Sequence, residues 1–472
     1  MNIKAITFLK NFSYTLSSNL IAITISTIVI LVVPKFIGVE KYGYWQLYLF
    51  YSAYVGFLHF GWNDGVYLRY GGKEYKELNK DLFFSQFWML VIFQALMSIL
   101  ILVVATNLGI EANKLFIVKM TALCMIFVNI RLMLIYILQI TNRIKEYAYI
   151  TLMEKVLYCF IIILLLFVGV SDYKLLILAD IVGKLVSLIY SVYCCRDIVF
   201  KRVSQFYFSI KETSENINVG LKLMFANIAS MLIIGIVRFG IERTWDVTTF
   251  GKVSLALSVS NLMMLFINAI GIILFPILRR TDENKLSAIY ITMRTLLMVF
   301  LLGLLGVYYP LKNILTFWLP QYTESFYYMA ILFPICIYEG RMALLINTYL
   351  KTLRKEKLIL TVNIVSMLLS CILTILFTIV FKNLHITIVT IVIILAFRCV
   401  LAEVYLSRIL DFSYYKDLLY EKVLVLTFIL IGLYVNSLIG ITLYLSAYGL
   451  YLFINRKNII GAYIVLKQYI RG

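Results

Sequence analysis

The fold class of this chain is decided by apolar segments such as Phe83–Thr106, FFSQFWMLVIFQALMSILILVVAT, in which no residue carries a charge. Such a segment is long enough for an α-helix to cross the hydrocarbon core of a bilayer, which takes about 20 apolar residues. Similar runs recur along most of the 472 residues. A spanning β-strand would instead show about ten residues of strict alternation, so the pattern predicts helices.

The composition is that of a chain that lies almost entirely within a membrane. Hydrophobic residues make up 62% of the chain and charged residues 14%, and the mean hydropathy is +0.94. A soluble protein of this length would carry about a quarter charged residues. We therefore predict an all-α integral membrane protein with about 14 spans.

The expected spans lie near 14–37, 43–67, 83–106, 115–140, 148–170, 174–195, 217–240, 249–277, 286–309, 324–349, 358–381, 386–406, 421–437 and 439–456. The first apolar run is too long for the core of a signal peptide, so it is expected to be the first span.

The net charge of +19 is spread over many short loops and does not favour a nucleic-acid partner. Lys and Arg hold loops on the cytoplasmic side of a membrane. One alternate set of loops, together with both termini, carries about 27 of these residues, and the other set carries about 7. Both termini are therefore predicted to be cytoplasmic.

The chain offers little for metal, disulfide or catalytic chemistry. Its seven cysteines lie nearly all in apolar runs, and its two histidines, His59 and His385, are far apart in sequence. We expect no metal site, no disulfide framework and no cofactor. The sequence also has no phosphate-binding Walker loop and no nucleophile elbow, so an enzyme is not expected.

Two pairs of matching segments indicate an internal repeat. Val39–Leu47 matches Val247–Leu255 in a valine, an aromatic residue, a glycine and a leucine, at an offset of 208. Thr141–Glu146 matches Thr352–Glu356 at offsets of 211 and 210. The repeat predicts two halves of six spans each, followed by two additional spans.

An even number of spans makes the two halves parallel, related by a pseudo-two-fold axis along the membrane normal. Two such bundles would enclose a central cleft, and rocking would open it to alternate sides. The predicted domains are an N-terminal six-helix bundle over residues 1–195, a cytoplasmic amphipathic linker over 196–216, a C-terminal six-helix bundle over 217–410, and two further transmembrane helices with a cytoplasmic tail over 411–472.

Several charged residues fall inside the predicted spans, where each charge costs about 2.5–3.5 kcal/mol. Arg131 and Arg341 occupy nearly equivalent places in the two halves, so both are expected to face the cleft and to attract an anion such as phosphate. The candidate cleft cations are Arg131, Arg341, Arg398, Lys184, Lys119 and Arg238. The candidate partner or coupling acids are Glu242, Glu339, Asp180 and Glu154.

Other interpretations of these charges stay open. The ions could be structural pairs between helices, and Arg238 is spaced to pair with Glu242 on one helix face. Asp64 and Arg69, at the cytoplasmic end of the second span, are candidates for a cytoplasmic gate. A solvated loop explains these two residues equally well.

Three segments resemble a known family. The segment Pro34–Trp45, PKFIGVEKYGYW, resembles the first and second spans of polysaccharide-transport proteins, and Phe60–Tyr70, FGWNDGVYLRY, resembles the end of their second span. Leu350–Glu356 is similar to their loop between spans 10 and 11. The chain therefore resembles Wzx-type flippases of the MOP (multidrug/oligosaccharidyl-lipid/polysaccharide) exporter superfamily.

This resemblance implies a MATE-like fold and the flipping of undecaprenyl-pyrophosphate-linked oligosaccharide repeat units across the bacterial inner membrane, for O-antigen or capsular polysaccharide synthesis. The implied partners are the lipid-linked oligosaccharide, membrane lipids, and polymerase and chain-length regulator proteins. The pyrophosphate would meet the cationic cleft.

Three other functions compete with this interpretation. An ion-coupled multidrug exporter would favour buried acids, whereas this chain buries mostly bases. A lipid II flippase shares the pyrophosphate chemistry. An O-antigen polymerase would carry a large outer loop, but the longest one here, about Tyr309–Glu324, is short. A purely structural scaffold would not need repeated buried arginines.

Overall fold

The computed structural model describes residues 3–279, 283–412 and 415–471, so the loop expected around Arg279–Lys285 lies partly outside the described residues. Every regular element in these ranges is a helix. The chain divides into two compact units, Met1–Ile228 and Ala229–Gly472. The predicted all-helical membrane fold is confirmed.

The first unit consists of eight helices and the beginning of a ninth. They are α1 (Ile3–Phe36), α2 (Val39–Ser52), α3 (Trp62–Arg69), α4 (Lys80–Asn107), α5 (Ala112–Ile140), α6 (Ile144–Phe167), α7 (Tyr173–Cys194), the short α8 (Arg196–Val199) and α9 (Ile210–Thr244). The division into units falls within α9, so this one helix contributes its first part to the first unit and its second part to the other.

The second unit continues with eleven helices. They are α10 (Val247–Arg279), α11 (Glu283–Leu304), α12 (Tyr308–Trp318), α13 (Thr323–Leu332), α14 (Ile335–Arg341), α15 (Asn347–Thr352), α16 (Glu356–Ile375), α17 (Leu384–Leu410), α18 (Tyr415–Tyr434), α19 (Ser437–Ile454) and α20 (Arg456–Arg471). A π-helical turn, Met342–Ile346, joins α14 to α15, and another, Leu376–Val380, follows α16.

Within the described residues, 9 helices are long and apolar enough to cross a membrane, or 10 if one bent pair counts as a single span. The sequence predicted about 14, and helices coincide with each of those segments. Several are short or broken and do not meet the length criterion on their own. The most apolar part of α4 is only 22% buried, as expected for a helix whose surface faces hydrocarbon.

The second predicted span, 43–67, is not one helix in the structure. It consists of α2, a 3₁₀ turn over Val55–His59, and α3. The break lies at Phe60 and Gly61, whose φ angles of 52° and 79° are left-handed. A glycine suits such a conformation because it lacks the Cβ that makes it costly.

The tenth predicted span, 324–349, is also broken. The helical segments Pro320–Leu332 and Ile335–Thr352 meet at a bend of 43°. Pro334 lies at this bend and has no backbone N–H to continue the helical hydrogen bonds. The π-helical turn that follows Arg341 is a second irregularity in this span, of a kind often found near functional sites.

Each unit has its own apolar core. In the first, Trp62 on α3 and Phe87 on α4 pack with Met133 and Leu138 of α5. In the second, aromatic rings join helices that are distant in sequence. Phe428 of α18 lies 5.3 Å from Tyr308 of α12 and 5.4 Å from Tyr444 of α19, measured between ring centroids. The last helices are therefore packed into the second unit.

The start of α9 crosses α3 at backbone contact. A Cβ placed on Gly65 would lie 1.9 Å from the carbonyl oxygen of Asn216, and one on Gly220 would lie 1.9 Å from that of Gly61. Side chains at these positions would push the two segments apart. The glycines of the Phe60–Tyr70 segment are thus explained by this close approach.

We predict that Gly65→Ala destabilises the protein, because its methyl group has no space against α9. Overpacking of this kind typically costs about 1–3 kcal/mol. The measurement is thermal unfolding of the purified protein in detergent. Gly56→Ala is the matched control, since nothing lies within 4 Å of a Cβ at Gly56. Equal unfolding temperatures for the two variants would contradict the proposed close contact.

Candidate functional site

The first unit contains a cluster of four charged side chains on three adjacent helices, which we call the first charge cluster. Arg131 of α5 pairs with Glu154 of α6, and Lys184 of α7 pairs with Asp180 one turn earlier on the same helix. Lys184 Nζ also lies 3.8 Å from Glu154 Oε1. The carboxylates therefore link the two cations into one group.

Neutral polar groups complete this cluster. The hydroxyl of Tyr48 on α2 donates to Asp180 Oδ2 at 2.5 Å. Arg131 donates to Ser187 Oγ at 2.9 Å, while its Nε has no hydrogen-bond partner among the described residues. This nitrogen is buried, so the accessible donors of the guanidinium are its terminal NH groups.

The helices come close together here because a glycine lies at their contact. A Cβ placed on Gly183 of α7 would lie 2.9 Å from the backbone oxygen of Glu154 on α6. The small residue lets the two backbones approach, as is common between membrane helices. Glu154 and its two cations are brought together by this approach.

The first charge cluster has equal numbers of cations and carboxylates and is partly accessible. The side chains of Arg131 and Lys184 are each 12% exposed and that of Glu154 is 17% exposed. Pairing lowers the cost of holding these charges between apolar helices. The cations of this cluster are therefore more exposed than a fully buried ion pair.

The second unit contains a similar group, which we call the second charge cluster. It consists of Arg294 on α11, Arg341 at the end of α14, Glu403 on α17 and Glu421 on α18. Arg294 Nε lies 2.5 Å from Glu403 Oε1, and its NH2 lies 3.0 Å from Glu421 Oε1. Arg341 NH1 lies 2.7 Å from Glu403 Oε2, and its NH2 pairs with Glu421.

This second charge cluster is almost completely buried. The exposed fractions of its side chains are 4% for Arg294, 2% for Arg341, 0% for Glu403 and 4% for Glu421. Tyr290 donates a further hydrogen bond to Glu403 at 3.2 Å. Because Glu421 belongs to α18, the cluster also connects this helix, which lies near the C-terminus, to the rest of the second unit.

Arg398 of α17 forms a third polar group in the second unit. It donates to Glu339 of α14 at 2.8 Å, to Asn363 of α16 at 2.9 Å and to Ser230 of α9 at 2.9 Å. Its side chain is almost fully buried, whereas that of Glu339 is partly exposed. Arg398 therefore joins four helices through hydrogen bonds to charged and neutral partners.

The remaining candidate cations and acids lie apart from these groups. Lys119 is exposed on α5. Arg238 of α9 donates to Ser254 at 3.0 Å and lies over the ring of Phe250. Glu242 is buried, and its Oε2 lies 3.3 Å from Nε of the neighbouring Arg243.

The two candidate gate residues have different surroundings. Asp64 is buried on α3, and its Oδ2 lies 3.7 Å from Nε2 of His59. Arg69, at the end of α3, contacts Glu212, Glu215 and Asn216 at the start of α9. The structure thus gives Arg69 specific partners that the sequence did not identify.

The structure brings Arg131, Lys184, Glu154 and Asp180 together and places Arg341 and Arg398 in separate groups. Sequence reasoning missed Arg294 and Glu421. Arg294 lies within the predicted span 286–309, so its isolation among apolar residues was a usable signal. Glu421 gives a weaker signal. It is the first residue of the predicted span 421–437, and a charged residue is expected at the end of a span. Within the described residues, no group of three or more His, Cys, Asp or Glu residues is arranged to hold a metal ion.

We predict that Arg341→Ala strongly destabilises the protein, because two buried carboxylates would then face a single arginine. Removing one partner of a buried ion pair typically costs about 3–5 kcal/mol. The measurement is thermal unfolding in detergent, with Lys145→Ala, at an exposed position on α6, as the control. Adding Glu421→Gln should restore part of the lost stability. An unchanged unfolding temperature for Arg341→Ala would contradict the proposed role of the second charge cluster.

The comparisons with known proteins agree with this architecture. A family model described as "Polysaccharide biosynthesis protein" matches residues 8–282, which is more than half of the chain. No curated protein sequence matches the chain.

Among solved structures, the chain is similar to "Lipid II flippase MurJ, inward closed conformation", with 14% identity, a TM-score of 0.64, and coverage of 96% of this chain and 100% of that chain. It is also similar to an inward-facing multidrug resistance MATE family transporter of the MOP superfamily, with 10% identity, a TM-score of 0.60, and coverage of 87% and 98%. A MATE structure in the straight conformation matches with 12% identity, a TM-score of 0.53, and coverage of 89% and 96%.

Family and fold together are those of multi-pass, non-enzymatic membrane proteins, in agreement with the prediction from sequence. The chain belongs to the polysaccharide biosynthesis protein family and has the fold that the MATE and MurJ transporters of the MOP superfamily share.

Proposed function

We propose that this protein is a flippase that moves undecaprenyl-pyrophosphate-linked oligosaccharide repeat units from the cytoplasmic to the outer leaflet of the bacterial inner membrane. In this proposal both termini are cytoplasmic, as the distribution of Lys and Arg predicts. The family match supports a role in polysaccharide biosynthesis, and the fold is one that a lipid flippase also adopts.

The observation that carries the proposal is the first charge cluster. Arg131 and Lys184 place a guanidinium and an ammonium among apolar helices while keeping partial exposure. A pyrophosphate needs such groups when it leaves water, since an unpaired anion in hydrocarbon is very costly. The lipid tail can remain in the bilayer throughout the movement.

Sharing of donors makes this binding reversible. In the structure the cations are paired with Glu154 and Asp180, so each charge of the cluster has a partner of opposite sign. An arriving pyrophosphate would share the donors of Arg131 with Glu154, since the planar fork of the guanidinium presents several donors and suits phosphate oxygens. The carboxylate would then keep its cation while the substrate binds and after it leaves.

The other candidate cations have less direct roles in this proposal. Arg341 and Arg398 are deeply buried and held by protein acceptors, so phosphate contact is assigned to Arg131 and Lys184. Lys119 and Arg238 are given no separate role. Polymerase and chain-length regulator proteins would then use the repeat units delivered at the outer leaflet.

A lipid II flippase is the second candidate, because a flippase described as acting on lipid II shares the fold over 96% of this chain. Its substrate would present the same phosphate chemistry to Arg131 and Lys184. An ion-coupled multidrug exporter shares the fold equally, but the family match to polysaccharide biosynthesis proteins supports a polysaccharide precursor as the substrate.

We predict that Arg131→Ala and Lys184→Ala each reduce export at least about tenfold, which corresponds to ~1.4 kcal/mol of lost interaction with the phosphate. The measurement follows surface polysaccharide, and lipid-linked repeat units retained inside, in bacteria whose polysaccharide synthesis depends on this chain. Arg131→Lys should keep part of the activity, because it retains the charge and loses the planar fork.

Lys145→Ala is the control, since it removes an exposed cation of α6 that lies nine residues, or more than two helical turns, before Glu154. The amount of protein in the membrane is measured for every variant. Normal export by Arg131→Ala and Lys184→Ala, at ordinary protein levels, would contradict the proposed phosphate site. Loss of peptidoglycan precursor export, with surface polysaccharide unchanged, would instead favour the lipid II function.

A further inference from the structure

The crossing of α3 and α9 is held by a group of polar contacts that we call the α3–α9 latch. Arg69 NH1 donates to Glu212 Oε1 and, at 2.6 Å, to Asn216 Oδ1. Its NH2 donates to Glu215 Oε2 at 2.6 Å. The neighbouring Tyr70 donates to Glu212 at 2.7 Å. One guanidinium therefore bonds three side chains on successive turns of α9.

The latch is reachable by water, unlike the second charge cluster. The side chain of Arg69 is 25% exposed, that of Glu212 is 18% exposed and that of Glu215 is 46% exposed. Ion pairs at such positions contribute modestly to stability, because solvent screens them. When the pairs separate, water can solvate the freed charges, so opening does not strand an ion in an apolar environment.

The contact surface between α3 and α9 next to the latch would also allow the two helices to separate. The two segments touch through the backbones of Gly61, Gly65 and Gly220 and do not interlock large side chains at these points. Next to them Gln86 donates to Ser209 Oγ at 2.5 Å and accepts from Trp62. Water can replace such hydrogen bonds when the surfaces part.

Release of the latch would affect a helix that both units share. The contacts of Arg69 lie at Glu212–Asn216, and α9 continues from there without interruption to Thr244. Its residues up to Ile228 belong to the first unit, and those from Ala229 belong to the second. A change at the start of α9 therefore acts on the same helix that continues into the second unit.

We propose that the α3–α9 latch is a conformational switch, closed in this structure, whose opening frees the start of α9 from α3. This inference rests on the proposed transport function, because alternating access needs a closure that opens and closes reversibly. In this proposal Arg69 is the residue whose ion pairs and hydrogen bonds keep α3 and the start of α9 together.

The test is a distance measurement that requires neither substrate nor transport, so it can fail independently of the proposed function. Spin labels are attached to cysteines at Leu68 on α3 and Ile210 on α9, both of which are exposed. Cys194 and Cys371, the two native cysteines that are not fully buried, are replaced by serine. Pulsed electron paramagnetic resonance then gives the distance distribution for the full-length protein in nanodiscs.

The wild-type protein is expected to show mainly one short distance, and Arg69→Ala should increase a separate longer-distance population several-fold. The charge-swapped variant Arg69→Glu with Glu212→Arg should restore the short distance, which a purely local loss of packing would not do. Lys145→Ala, which removes an exposed cation of α6, is the control and should leave the distribution unchanged.

Two results would overturn the proposal. The first is an unchanged distance distribution in Arg69→Ala. The second is one broad distribution in both Arg69→Ala and the charge-swapped variant, together with a lowered unfolding temperature, because this pattern would show that Arg69 only supports the local fold.

Discussion

The structure depends on one constraint, which is that a charge among apolar helices must have a partner of opposite sign. Each cation of the two charge clusters meets this requirement through carboxylates on neighbouring helices. Pairing costs conformational freedom but avoids the larger cost of an isolated ion in hydrocarbon. The clusters therefore determine which helices must lie side by side, since a carboxylate on one helix can serve its cation only at contact distance.

The two charge clusters differ in a way that matters for function. Arg131 and Arg341 lie 210 residues apart, the spacing of the internal repeat, and each pairs with acids on later helices of its own unit. Arg131 keeps partial exposure. Arg341 is almost completely buried and shares two carboxylates with Arg294. By our proposal, two positions that the internal repeat predicts to be equivalent thus serve ligand contact in one unit and helix assembly in the other.

Much of the fold could be predicted from the sequence because hydrocarbon imposes simple rules. Long apolar runs indicate helices, and the helices of the structure coincide with the predicted spans. The breaks at Phe60–Gly61 and Pro334 were missed, because a break depends on local backbone conformation and not on hydropathy.

The charged positions Arg131, Lys184, Glu154 and Asp180 were identified, and Asp180–Lys184 pairing follows from their spacing of one helical turn. The pairing of Arg341 with Glu403 and Glu421 could not be predicted, because it depends on how helices distant in sequence pack together.

The most direct test of the account is whether the purified protein binds an isoprenoid lipid through its pyrophosphate. Undecaprenyl pyrophosphate and undecaprenol differ only in that group, so their binding to the protein in nanodiscs can be compared by native mass spectrometry. The account predicts saturable binding of undecaprenyl pyrophosphate that is at least about tenfold tighter than binding of undecaprenol, since charge-assisted bonds to Arg131 and Lys184 would be available only to the former. Equal affinity for the two lipids would contradict the central claim.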